Sequence, residues 1–144
     1  MIVVLDTNVL VSGFLNSSGK PGQIIDLLND NRFQVAYDDR ILGEYEDILA
    51  RPKFGIEPSK ARTLITHIEL TGQLIYAESL SSVGFQDPDD LPFAEVFITA
   101  HAQALITGNL RHFTPLVETG LPVYTPTQFL DRFFPCDPQL INLD

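Results

Sequence analysis

The residues Ile2-Val3-Val4-Leu5 form a continuous apolar run, mostly β-branched, that stops abruptly at Asp6. A half-buried strand alternates apolar and polar side chains. A run that is apolar at every position predicts a strand covered on both faces, as at the centre of a parallel sheet. Ala104-Leu105-Ile106-Thr107 repeats the pattern and ends in Gly108-Asn109. Phe33 to Tyr37 reads as another strand, Leu74 to Ala77 as a weak one, and Pro122 to Thr125 as a short final one. Helical spacing fills the gaps between them. Ile24, Ile25, Leu27 and Leu28 follow a Ser/Gly-rich turn from Ser17 to Gly22, and Ile41, Leu42, Tyr45, Ile48 and Leu49 make one buried stripe between a capping Asp38 and Pro52. A further helix is expected from Pro58 to about Leu70. Another, after Asp87-Pro88-Asp89-Asp90, carries Phe93, Val96, Phe97 and Ala100 on one side. Pro126 opens a last helix through about Phe133. Strands alternating with helices predict an α/β fold whose central parallel sheet is covered on both faces.

At 144 residues the chain is expected to form a single domain, 1–144, with a tail from about 136 to 144. The 44% hydrophobic and 19% charged content is that of a globular chain and argues against disorder. The first apolar run is too short for a signal peptide or a membrane span. A single cysteine, Cys136, rules out an internal disulfide and a cysteine zinc cluster, so a reducing, cytoplasmic setting is expected. The net charge of -10 opposes a broad grip on phosphates. Four of the nine Lys and Arg, namely Arg51, Lys53, Lys60 and Arg62, nevertheless fall close together in sequence.

In open parallel sheets, ligands bind beyond the carboxyl ends of the strands. Asp6 ends the first strand and Asn109 lies just past the Ala104–Thr107 strand. Asp90 shares a helix face with Phe93, Ala94 and Phe97, which points it at the sheet crevice. On the second helix, Glu44 and Glu46 flank the apolar stripe on opposite sides, while Asp47 points away. Geometry alone leaves the two glutamates undecided. Carboxylates gathered without a cation repel one another and are driven to take up protons. All-oxygen ligation suits Mg²⁺ or Mn²⁺, and such a centre could activate water against a phosphodiester without a histidine base.

Leu5-Asp6-Thr7-Asn8 opens the chain as in PIN-domain proteins. Glu44-Tyr45 with Arg51-Pro52-Lys53-Phe54, Asp87-Pro88-Asp89-Asp90 with Phe93 and Glu95, Ile106-Thr107-Gly108-Asn109 with His112-Phe113, and Thr125-Pro126 with Phe129-Leu130 follow in the same order. The sequence resembles this family over nearly its whole length, and particularly its VapC-like group, the toxin components of toxin–antitoxin pairs. The resemblance implies a three-layer α/β/α sandwich, Mg²⁺- or Mn²⁺-dependent endoribonuclease activity on RNA, an antitoxin partner and often a homodimer. It assigns the first three acids, which would hold the metal, to Asp6, Glu44 and Asp90, and so favours Glu44 over Glu46. Asn109 stands where a fourth acid is common. Its neutral carbonyl can still face a metal or water, but one charge is lost.

Each residue also has a plainer role. Asp6 and Asp90 could be helix caps, Glu44 a solvated helix residue, and Asp87 and Asp89 parts of a turn. Thr7 and Asn8 either turn the chain or orient Asp6, and Thr107 either ends its strand or bonds a metal-bound water. Glu95 is expected as a favourable charge beside a helix N-terminus. His101 reads as a core histidine, His112 as a loop residue after Asn109 with no assigned role, and Cys136 as inert. Two other functions start from the same residues: a PIN fold that binds RNA or a partner without cleaving, and an aspartyl-phosphate phosphatase. The phosphatase wants a second aspartate where this chain has Asn8.

Overall fold

The structure, a computed structural model, describes residues 1–135; the expected tail at about 136–144, with Cys136, lies outside the described residues. Five parallel strands form the sheet: β1 (Ile2–Leu5), β2 (Gln34–Tyr37), β3 (Gln73–Leu74), β4 (Ala104–Ile106) and β5 (Val123–Tyr124). Their order is β3-β2-β1-β4-β5. The chain thus starts in the middle, builds outward to β3, then crosses back to add β4 and β5 on the other side of β1. Val3 stands beside both Val35 and Ala104, and Leu5 beside Ile106. Val3, Val4, Leu5, Ala104, Leu105 and Ile106 are all fully buried, as their unbroken apolar pattern requires.

The helices are α1 (Thr7–Leu15), α2 (Lys20–Asn29), α3 (Asp39–Leu49), α4 (Pro58–Thr71), α5 (Leu91–Thr99), α6 (Thr114–Glu118) and α7 (Pro126–Phe133), with 3₁₀ turns at Pro52–Phe54, Pro88–Asp90 and Leu110–Phe113. They flank the sheet to give the α/β sandwich. In series, α1 packs on α2 and α3, and α3 on α4; α5 lies against β1 and β2, and α7 against β4, β5 and α2. Asp38 caps α3 by accepting from the Ile41 amide. Thr125 and Gln128 close a reciprocal capping box on α7. Among the described residues no helix is long and apolar enough to cross a membrane.

One contact inside this core decides where α3 sits. The fully buried Tyr45 donates its hydroxyl to the Leu5 carbonyl at 2.5 Å, one residue before Asp6. Burial pushes the phenol well above its ordinary range, so it stays a donor at any ordinary pH. The residue before it, Glu44, is thereby held at the end of β1.

Several expectations differ from the structure. Residues Thr7–Leu15 form a helix that hydropathy alone does not mark: Thr7 is buried and Leu15 exposed, so polar and apolar residues do not divide cleanly between two faces. The Ser/Gly turn is shorter than expected, because Lys20 and Pro21 already open α2. The weak strand lies at Gln73–Leu74, not Leu74–Ala77; both its residues are exposed at the sheet edge, and pairing continues only through the Ile75 amide to the Tyr37 carbonyl at 2.8 Å. His101 is not a core histidine. Helix α5 ends before it, and it stands exposed in a left-handed conformation, with φ of 50°.

Gly72 joins α4 to β3 in a place with no room for a side chain. A Cβ there would lie 2.4 Å from the Val35 carbonyl oxygen and 2.5 Å from that of Ile68, both rigid backbone atoms. Gly72→Ala is therefore expected to cost about 1–3 kcal/mol, read as a lower urea midpoint at unchanged slope. An unchanged midpoint would show that this turn yields freely.

Candidate active site

Strands β1 and β4 lie side by side at the centre, where the chain reverses its direction of travel across the sheet. This is the position where parallel sheets bind ligands. Asp6 leaves β1 there, its amide bonded to the Ile106 carbonyl at 2.9 Å. It occupies the N-cap position of α1 but makes no side-chain cap. Instead Oδ2 accepts from the Thr107 hydroxyl at 2.7 Å, across the gap between the two strand ends. The plainer reading of Asp6 as a cap is thus not what its side chain does. Burial raises the carboxyl above its usual range, against the opposing pull of Thr107, His112 and the Thr7 amide.

Asp90 ends the turn Pro88–Asp90, directly before α5. The residue is 7% exposed, and its Oδ2 has no hydrogen-bond partner among the described residues. Burial is the main reason its pKa is raised to about 6. The neighbouring Asp6, Asp87 and Glu44 add to the effect and His112 opposes it. Asp87 caps the turn by accepting from the Asp89 amide at 2.9 Å, and both residues are exposed.

Glu44 is half-buried on α3, and its Oε2 accepts from the Thr7 hydroxyl. Its carboxyl is also raised, chiefly by burial, with Thr7 opposing and Asp6, Asp89 and Asp87 adding. Glu46 is exposed and lines a separate groove with Leu49, Ala61 and Ile65; Asp47 is exposed and pairs with Arg51 at 3.3 Å. Asn8 accepts from the Gly108 amide at 2.9 Å, tying the first turn of α1 to the end of β4.

Asn109 is exposed, and its Oδ1 accepts from the Arg111 amide at 3.1 Å, capping the turn Leu110–Phe113. That turn carries His112 back over the two aspartates. His112 Nδ1 is buried without a partner, 3.8 Å from Asp6 Oδ2 and 3.9 Å from Asp90 Oδ1. Ligand atoms of Asp6, Asp90 and His112 all lie within 4.8 Å of one another. Sequence reasoning placed His112 only in a nearby loop. The signal for its direction was Asn109, a good cap three residues earlier, together with Phe113, whose burial fixes the turn.

Two carboxylates and an imidazole converging around unpaired buried atoms suit a divalent cation, which would cancel their charge and fill their empty valences. Glu44 joins from the side, through Thr7. Elsewhere, buried Glu95 pairs with Arg40 at 2.7 Å and accepts from the Leu80 amide at 2.7 Å. It anchors the segment after β3 and does not join the site. The four clustered cations are all exposed, and three of them line different grooves: Lys60 beside Phe14, Arg62 beside Ile65, and Arg51 beside Glu44 and Asp89.

Comparison with known proteins agrees with this architecture. The chain is 29% identical over 143 residues to an uncharacterized protein of Methanocaldococcus jannaschii, MJ1680, covering 91% of this chain and 90% of that protein. Among solved structures it resembles VapBC2 from Rickettsia felis, bound to a DNA fragment from the promoter, with a TM-score of 0.56, 18% identity, and coverage of 87% of this chain and 98% of the other. It also resembles VapBC-1 from nontypeable Haemophilus influenzae, with a TM-score of 0.57, 18% identity, and coverage of 88% and 99%. At that identity the likeness speaks for the fold. The PIN-domain profile matches residues 2–111, most of the chain and every residue of the carboxylate cluster, and the chain therefore belongs to the PIN-domain family.

Proposed function

We propose that this PIN-domain protein is a metal-dependent endoribonuclease that hydrolyses RNA phosphodiester bonds, and that it serves as the toxin of a toxin–antitoxin pair. The observation that carries the reading is the convergence of Asp6 and Asp90, with an unpaired buried oxygen on Asp90, at the end of β1 and β4. Asp6 and Asp90 would hold Mg²⁺ or Mn²⁺, with Glu44 beside them. When bound, such an ion would lower the pKa of water at the site and offset charge on the phosphodiester. Thr107 fixes Asp6 through Oδ2, and Thr7 fixes Glu44 through Oε2. The Oε1 atom of Glu44 is left to take a proton from an attacking water, and its raised pKa brings it nearer the working range of a general base. Asn8 keeps the turn that carries Thr107 in register with α1.

The likeness of the fold to VapBC proteins supports an antitoxin as partner, and family resemblance supports a homodimer. A single domain acting on RNA in the cytoplasm fits the single cysteine and the composition. Expression with and without the gene beside it tests the toxin role, and harmless expression of the chain alone would count against it.

A second reading is a PIN fold that binds RNA or a partner with little or no cleavage. Asn109 favours it, because the residue brings no charge and its carbonyl is taken by the Arg111 amide. The two readings separate on one comparison. With Mn²⁺ or Mg²⁺, Asp6→Asn is expected to lower RNA cleavage by about a hundredfold or more while the protein stays folded. Equal activity in the two proteins would place the cleavage elsewhere.

The raised Asp90 carboxyl has a consequence for stability. Its pKa is about 6 in the folded chain and about 3.9 when unfolded, so between these values the folded state holds a proton that the unfolded state releases. Stability of the metal-free protein therefore falls as pH rises through roughly 4 to 6. Asp90→Asn is expected to be more stable than the parent by about 2 kcal/mol at pH 7.5, with the gap closing near pH 4. Mn²⁺ should raise the melting temperature of the parent and have little effect on the variant. A parent and variant that melt alike at neutral pH would show that Asp90 is not a strained buried charge.

A further inference from the structure

We infer that His112 is a nitrogen ligand of the metal centre, and that it biases the site towards Mn²⁺ and similar borderline ions over Mg²⁺. This rests on the metal-dependent reading above and adds a ligand to it. The imidazole is held, not dangling. Its backbone amide bonds to the Asn109 carbonyl at 3.1 Å, Asn109 caps the same turn through its side chain, and the next residue, Phe113, is fully buried.

Nδ1 is buried and aimed between the two aspartates, yet it bonds to neither: 3.8 and 3.9 Å are too long for hydrogen bonds. Those separations suit two ligands of one ion. In an octahedron with bonds of about 2.1 Å, ligand atoms stand roughly 3.0 Å apart when adjacent and 4.2 Å when opposite. The mostly buried Asp90 carries a second unpaired atom, Oδ2, on the same carboxylate whose Oδ1 faces Nδ1. An ion there would satisfy both orphaned groups at once, which no hydrogen bond among the described residues does.

The donor chemistry then decides the ion. Mg²⁺ takes oxygen ligands and keeps its waters, whereas imidazole suits transition metals; Mn²⁺ accepts carboxylate oxygen and imidazole nitrogen together. With Asn109 engaged as a cap, the place of a further acid is taken by a neutral nitrogen. The site trades charge for a softer donor.

Pulsed electron paramagnetic resonance of the full chain loaded with Mn²⁺ tests this without any activity assay. The bound Mn²⁺ should show ¹⁴N modulation from a histidine, and His112→Ala should abolish it. The other histidines do not compete: His67 bonds the Leu28 carbonyl at 3.0 Å, and His101 precedes β4, at the opposite end of the sheet from Asp6. Calorimetric titration with MnCl₂ and MgCl₂ gives the second readout. His112→Ala should lose about tenfold in Mn²⁺ affinity and less than about twofold in Mg²⁺ affinity. Mn²⁺ bound to the parent with no ¹⁴N coupling would overturn the inference and leave the metal reading standing. A parent chain that binds neither ion would overturn both.

Discussion

Two aspartates removed from water within reach of one another are the constraint around which the rest of this molecule is arranged. Among the described residues neither Asp6 nor Asp90 pairs with a lysine or arginine: Arg40 is already committed to Asp38 and Glu95. Hydrogen bonds from Thr107 and the Thr7 amide return part of the desolvation cost for Asp6, while Asp90 Oδ2 receives nothing. A fold selected for stability alone would have replaced such a pair with apolar side chains of similar size. Their presence at a strand-end crevice points to a ligand that supplies the missing charge.

The scaffold holds these groups still through short polar bridges between elements that are far apart in sequence. Thr107 to Asp6 joins β4 to β1, Asn8 to the Gly108 amide joins α1 to the same turn, and Tyr45 to Leu5 joins α3 to β1. Each bridge reaches the chain within two residues of Asp6. Because the parallel register puts Leu5 beside Ile106, one residue of slip would separate Asp6 from Thr107 and exchange the side chains that pack on the two faces of the sheet. Core packing and site geometry are therefore set by the same register, and the residues of the cluster need not stabilise the fold themselves.

Much of this was legible in the sequence because burial on both faces leaves an unmistakable mark. Ile2–Leu5 and Ala104–Ile106 have no polar residue to confuse the pattern, and Asp38 and Thr125 announce helix starts by side-chain chemistry. Helix α1 was obscured for the opposite reason, since Thr7 is buried and Leu15 exposed, so that polarity does not follow burial around it. The edge strand β3 was misplaced because its two exposed residues carry no burial signal. At the site, the spacing of α3 put Glu44 beside the stripe and left Glu46 as its rival; only tertiary contacts, Thr7 on one side and solvent on the other, separate the two. Asn109 and His112 show the limit most clearly. Both lie in one loop after β4, and which of them turns inward depends on a cap formed by the backbone of residue 111.

The acidic total charge, which argued against nucleic acid, acquires a different meaning once the site is located. Four of the nine cations are engaged or set apart: Arg40 pairs with two acids and Arg51 with Asp47, while Lys60 and Arg62 line separate grooves. What remains beside the cluster is a groove of about 380 Å³ that holds Arg51 and Arg40 together with Glu44, Asp47 and Asp89. Such a surface does not attract a phosphate chain by its own field. Under the proposed function the divalent ion is then needed twice, to react and to bind. On that proposal, occupancy of the metal centre would turn a site where carboxylates converge into one that favours a phosphate.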